Sequence, residues 1–212
     1  MDFEAARAKL IEHLSTEIRD KRVLAAMSRV PRERFVPPES QQLAYVDSPL
    51  PIGLDQTISQ PFIIALMTEA LELTGREKVL EVGTGSGYQA AILAELARLV
   101  ITVERLPALA ESSRKVLDSL GYTNIEVRLA EKAIGWPAEA PYDAIMVTAG
   151  APKTPPDLLA QLAIGGRMVI PVGSRYVQEL CRITRGSKKN IVQDLGGCRF
   201  VSLIGKDAWE KE

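Results

Sequence analysis

Val79-Leu80-Glu81-Val82-Gly83-Thr84-Gly85-Ser86-Gly87 is the stretch on which the fold turns. An apolar run enters a glycine-rich turn, and a helical pattern begins near Gly87. Glycine allows backbone angles that other residues resist and lets a ligand approach closely. A fresh helix N-terminus adds free N–H groups and a positive dipole end. Outward from this point, short apolar runs recur at 78–82, 99–104, 125–129, 142–147 and 167–172, separated by helix-suited segments at 86–97, 107–119 and 155–163. That alternation predicts parallel βαβ units, hence an α/β, doubly wound, mostly parallel Rossmann-like sheet with helices on both faces. Further on, 179–184 and 190–195 flank Arg185-Gly186-Ser187-Lys188 and read as a hairpin, adding antiparallel strands at one edge. Toward the N-terminus, 2–28 reads as helical from Phe3, Ala6, Leu10 and Leu14. The Pro-rich stretch Pro31–Pro51 reads as ordered but irregular. Ser59 precedes Pro61 and an apolar-periodic run to Leu73, the pattern of an N-capped helix.

The chain has 212 residues, 46% apolar and 25% charged, which suits one well-buried domain. We divide 1–212 into an N-terminal extension (1–75), a binding core (76–175) and a C-terminal hairpin with a following segment (176–212). No apolar run approaches the ~20 residues of a membrane span. The start Met1-Asp2-Phe3-Glu4 lacks the order of a secretory signal. The 26 basic and 27 acidic residues give net charge -1, against tight binding of nucleic acid. With only Cys181, Cys198 and one histidine, neither a metal site nor a disulfide framework is expected, and the expected compartment is the cytoplasm.

The glycine loop is GxGxG, whereas a dinucleotide fingerprint needs glycine at position 88, which is Tyr. Glu81 lies two residues before the first glycine, a poor neighbour for a pyrophosphate but a good one for a cation. S-adenosylmethionine carries an ammonium and a sulfonium and no phosphate. Glu104 ends the next strand about 20 residues on, where an acid meets ribose hydroxyls. Glu131 follows the third strand and could reach an adenine edge. Upstream, Asp55-Gln56-Thr57-Ile58-Ser59-Gln60-Pro61 sets two hydroxyls and Gln56 beside the same loop.

These pieces recur together. Arg34-Phe35-Val36-Pro37, Leu50-Pro51-Ile52-Gly53, Gln56–Pro61, Val79–Gly87, Gly135-Trp136-Pro137 with Pro141-Tyr142-Asp143, and Arg199-Phe200-Val201 stand in one order. In this the chain resembles the protein-L-isoaspartate O-methyltransferases, over roughly residues 5–205. The resemblance implies methyl transfer from S-adenosyl-L-methionine to the free α-carboxylate of L-isoaspartyl residues in damaged proteins and peptides, leaving S-adenosyl-L-homocysteine. It implies Ser59 as the active-site serine. It assigns cofactor contacts to Gln56, Thr57, Glu81, Gly83, Thr84, Gly85, Ser86, Gly87, Glu104 and Glu131. Substrate contacts fall on Ser59, Arg199, Phe200 and Val201, and the enzyme is expected to be a monomer. Ala130-Glu131-Lys132 departs from the family's usual Gly-Asp-Gly, and Leu54-Asp55 and Ser202 depart from common residues there.

The chemistry asks for little acid–base help, because a carboxylate with reference pKa near ~4 is already ionised at neutral pH. Rival readings are another class I methyltransferase acting on a small molecule or nucleic acid, an NAD-linked oxidoreductase, and a non-catalytic S-adenosylmethionine-binding protein. Val147-Thr148-Ala149-Gly150-Ala151-Pro152 lacks the motif used on amino groups of bases.

Overall fold

A computed structural model describes residues 2–210. Two helices open the chain, α1 (Phe3–Leu14) and α2 (Lys21–Arg29). The single helix expected over 2–28 is broken, because Asp2 and Asp20 each cap a separate start by accepting backbone N–H groups. Short 3-10 turns at Arg32–Phe35 and Pro38–Leu43 follow. Then comes an unforeseen hairpin of β1 (Leu50–Gly53) and β2 (Gln56–Ile58). Leu54 and Asp55 both have positive φ, 53° and 56°, so the connection is a two-residue turn of the primed kind that suits strand twist.

Next come α3 (Pro61–Ala70), β3 (Lys78–Val82), α4 (Tyr88–Ala94), β4 (Leu99–Glu104), α5 (Pro107–Ser119) and β5 (Ile125–Leu129). The remainder is β6 (Tyr142–Val147), α6 (Pro156–Gln161), β7 (Leu162–Gly173), β8 (Gln178–Thr184) and β9 (Ile191–Cys198). The sheet order is β5-β4-β3-β6-β7-β8-β9. Strands β3 to β7 pair in parallel, and β8 and β9 add antiparallel at one edge. The four strands β3 to β6 match the expected ranges: β3, β4 and β6, buried on both faces, are mainly apolar, and β5 at the sheet edge alternates Ile, Val and Leu with Glu126 and Arg128. Strand β7 begins five residues earlier than the expected 167, through a register shift beside the glycines at 165 and 166.

Alternation along the strands divides the core in two. Val79, Val100, Ala144 and Val169 face the layer that includes α1 to α5. Leu80, Ile101, Ile145 and Met168 face the layer with Leu158 of α6, Ile134 and Leu203. Leu10 and Leu14 of α1 belong to the first cluster, so the N-terminal helices pack with the sheet. Order reverses between β3 and β6, and the carboxyl ends of these strands and of β4 point the same way. Open α/β sheets place their ligand crevice at such a switch point. No helix among the described residues is long and apolar enough to cross a membrane.

Candidate active site

A cavity of about 280 Å³ opens over those strand ends. Its floor includes Val82, Gly83, Thr84, Gly85 and Ser86 after β3, Glu104 and Arg105 after β4, Glu131 and Lys132 after β5, and Thr148 after β6. Gln56, Thr57, Ile58 and Ser59 come from the β1–β2 hairpin and its exit, and Val201 and Ser202 close the far side.

The glycine loop is held by specific bonds. Thr148 donates its hydroxyl to the carbonyls of Gly83 at 2.6 Å and Val82 at 3.0 Å. Gly83 has φ +103°, and a Cβ there would strike the Thr148 hydroxyl. Gly85 donates its N–H to Glu104 Oε2 at 2.9 Å, and Leu106 donates to Oε1 at 2.9 Å. Glu104 is only 6% exposed, and each carboxylate oxygen keeps a lone pair beyond its backbone bond. A side chain added at Gly85 would meet Ile52 of the hairpin at 3.5 Å, so the hairpin lies over the loop.

Ser59 lines the cavity, and its hydroxyl has no hydrogen-bond partner among the described residues. The expected capping role is therefore corrected. Gln60 takes the cap position of α3, and the Phe62 N–H is accepted by Asp47 Oδ1 at 2.8 Å. A distant carboxylate does the work expected of Ser59, which leaves the hydroxyl free.

Four expected residues do not reach the cavity wall. Glu81 is 0% exposed and turns, by strand alternation, toward the registered neighbour Thr102 on β4, which donates to its carboxylate. The Thr102 and Thr84 hydroxyls share a bond of 2.6 Å, so Glu81 supports the loop from beneath. Gly87 is the αL cap of α4, with Ser113 Cβ 3.2 Å from an added Cβ, and serves close packing. Arg199 is exposed, and Phe200 packs against the core while its N–H donates to Gln178. The segment after them is pinned differently: Gly150 donates to the Val201 carbonyl and accepts from the Leu203 N–H, both at 2.8 Å.

Burial pushes the Glu81 carboxyl up to about 8, with Glu104 nearby raising it further and Thr102 opposing. In the unfolded chain it ionises near its ordinary 4.5. Its contribution is full below that value and is lost as pH rises toward the folded one. From pH 6 to 8 this amounts to about 2 kcal/mol. Glu81→Gln should flatten that decline when unfolding is followed by urea titration across pH. Superimposable pH profiles for parent and variant would contradict it.

Arg105, Gln89 and Thr148 line the cavity, and none of them is assigned a role in the site from the sequence. Only Arg105, next to Glu104, carried a signal in its position. Of Gly135-Trp136-Pro137 and Pro141-Tyr142-Asp143, only Gly135 lines the cavity, and the others tie the surrounding fold together. Trp136 donates its N–H to Gln161 and accepts from the Tyr142 hydroxyl, and Asp143 accepts from the Lys78 N–H.

A glycine loop at the switch point, an acid at the end of the next strand and an open, hydroxyl-bearing far side define a class I methyltransferase dependent on S-adenosylmethionine. Residues 5–208 match the family Protein-L-isoaspartate(D-aspartate) O-methyltransferase (PCMT). Protein-L-isoaspartate O-methyltransferase 1 of Syntrophobacter fumaroxidans is 55% identical, covering 99% of each chain. The Geobacter metallireducens enzyme is 53% identical, covering 100% of each. Among solved structures, a protein-L-isoaspartate O-methyltransferase superposes with TM-score 0.84 at 29% identity, over 95% of this chain and 67% of that one. A Plasmodium falciparum β-aspartate methyltransferase (PCMT) in complex with S-adenosyl-L-homocysteine superposes with TM-score 0.81 at 27% identity, over 94% and 99%. The chain belongs to the protein-L-isoaspartate O-methyltransferase family. It is an S-adenosyl-L-methionine-dependent protein repair enzyme that methylates isoaspartyl residues.

Proposed function

We propose that the cavity is one channel with two ends, S-adenosyl-L-methionine at the strand-end side and the isoaspartyl carboxylate at the Ser59 side. The observation that carries this is the shared lining: Glu104, Glu131, Ser59 and Val201 border one cavity. Glu104 suits ribose hydroxyls, because it is buried, held by two N–H donors and retains acceptor capacity toward the cavity. Glu131, beside Lys132, borders the base end, and Gln56, Thr57 and the 83–86 loop border the amino-acid end. When bound, the donor supplies a methyl carbon on a positively charged sulfur, which departs as a neutral thioether.

What the chain supplies is placement. The substrate carboxylate is already ionised near neutral pH, so no general base is needed. Taking it out of water costs free energy unless a donor meets it. The unengaged Ser59 hydroxyl is positioned to donate to one carboxylate oxygen and leave the other free to attack. Orientation of this kind contributes up to ~7–11 kcal/mol in favourable cases. The Val201–Leu203 segment, tied to Gly150, offers main chain beside which an extended peptide can lie. Contact through main chain would leave recognition tolerant of different flanking side chains.

We read the chain as a cytoplasmic monomer whose partners are damaged, isoaspartyl-containing proteins, without nucleic-acid or membrane partners. The net charge of -1 supports the lack of nucleic-acid partners, and the two free cysteines support a reducing compartment. Radiolabelled methyl transfer to paired peptides, isoaspartyl and aspartyl, tests the function. Label should enter the isoaspartyl peptide alone; equal labelling of both would overturn the substrate assignment. Ser59→Ala should lower kcat/KM by about 10- to 100-fold, the range for one hydrogen bond to a charged group. Affinity for S-adenosyl-L-homocysteine should stay within about threefold in that variant. Equal losses in both would make Ser59 a general binding residue instead.

A further inference from the structure

We propose that Arg32 is a positioning residue for methyl transfer, fixing Ser59 relative to the helix that follows the glycine loop. The proposal rests on the reading that Ser59 faces the substrate carboxylate. Arg32 is 0% exposed, a rare state for an arginine. Its Nη2 donates to the Ser59 carbonyl at 2.8 Å and its Nε to the Ala44 carbonyl at 2.9 Å. Its guanidinium carbon sits 5.0 Å from the ring centroid of Tyr88, itself buried and the first residue of α4. Phe35 meets the same ring edge-on at 5.5 Å. One planar cation therefore touches the exit of the β1–β2 hairpin and the helix next to the glycine loop.

The strap carrying Ser59 is clamped from both directions. Arg32 holds the carbonyl of residue 59, while Asp47 accepts the N–H of Phe62 and the Gln60 amide, each at 2.8 Å. Between them the backbone at Ser59 is held beside the cavity. Stability alone is a poor reason for this arginine. Its Nη1 has no hydrogen-bond partner among the described residues, and burial lowers its pKa to about 10 while leaving it a cation near neutral pH. A buried cation with an unspent donor is costly, and an apolar side chain would fill the volume without that penalty. What the guanidinium provides is a fork of fixed geometry, with a face for stacking, that lysine cannot reproduce.

A double-mutant cycle tests this. Arg32→Lys, Ser59→Ala and the double variant are assayed with saturating isoaspartyl peptide, at a temperature where melting curves show each fully folded. Arg32→Lys should lower kcat about 10- to 100-fold, as misplacement of a reacting group does. Its affinity for S-adenosyl-L-homocysteine, by calorimetry, should change less than about threefold. In the Ser59→Ala background the same change should lower kcat by less than about twofold, because the hydroxyl it positions is gone. Should Arg32→Lys not fold, Arg32→Gln goes through the same cycle. An unchanged kcat in the folded variant, a loss confined to S-adenosyl-L-homocysteine affinity, or equal fold-losses in both backgrounds would each overturn the proposal. Ser59→Ala without effect would instead refute the Ser59 reading, and this proposal with it.

Discussion

Glu104→Ala should weaken S-adenosyl-L-homocysteine binding by about 10²- to 10³-fold, because two hydrogen bonds accepted by one carboxylate are worth roughly 3–4 kcal/mol. The site explains why so much rests on one residue. Glu104 sits at the end of β4, almost fully buried, with Gly85 and Leu106 fixing one oxygen each. A carboxylate held in this way needs no reorganisation to accept two hydroxyls. Alanine removes those acceptors and also strands two buried N–H groups, so some loss of stability accompanies the loss of affinity. Isothermal titration of the folded variant separates the two effects. Affinity within about threefold of the parent would remove Glu104 from the binding site.

Gly83→Ala should cost about 2–4 kcal/mol in stability, from a strained backbone angle and overpacking together. The glycine has φ +103°, where an L side chain is strained whatever the space. Its new methyl would also land on the Thr148 hydroxyl. Thr148 cannot simply swing aside, since that hydroxyl bonds the carbonyls of Val82 and Gly83. In a protein of this size the melting midpoint should fall by about 5–15 °C in scanning calorimetry. Adding Thr148→Ala to the Gly83→Ala variant should recover part of the loss, since the two sites are in contact. A midpoint unchanged within about 2 °C, or no coupling between the changes, would contradict the packing described here.

The parts of the fold legible in the sequence are those governed by local pattern. Strands β3, β4 and β6 are mainly apolar runs, β5 at the sheet edge alternates apolar and charged residues, and α5 is an amphipathic segment opened by Pro107, so their limits follow from burial and capping. The hairpin of β1 and β2 was hidden because its strands have four and three residues and include Pro51. Its pairing is imposed from outside, by Ile52 packing over the glycine loop. The early start of β7 was masked by Gly165 and Gly166, which read as a break but form an irregularity within the strand.

The site was legible to the extent that backbone geometry creates it. Gly83 to Ser86, Glu104, Gln56, Thr57, Ser59 and Glu131 border one cavity, as their spacing along strand ends implies. Strand alternation turns Glu81 under the loop toward Thr102, an orientation that its nearness in sequence to Gly83 does not reveal. Asp47, Arg32 and Thr148 were invisible for a common reason. Each acts through contacts with residues 12 to 66 positions away, and no local periodicity marks them. Arg32 also defies the expectation that arginine stays at the surface.

A crystal structure with S-adenosyl-L-homocysteine and an isoaspartyl peptide bears most directly on the two-ended channel. It should show the ribose hydroxyls on Glu104, the thioether sulfur turned toward Ser59, and the peptide carboxylate within hydrogen-bond reach of the Ser59 hydroxyl. A donor product seated away from Glu104, or a carboxylate bound on the opposite side of the sulfur from Ser59, would contradict it.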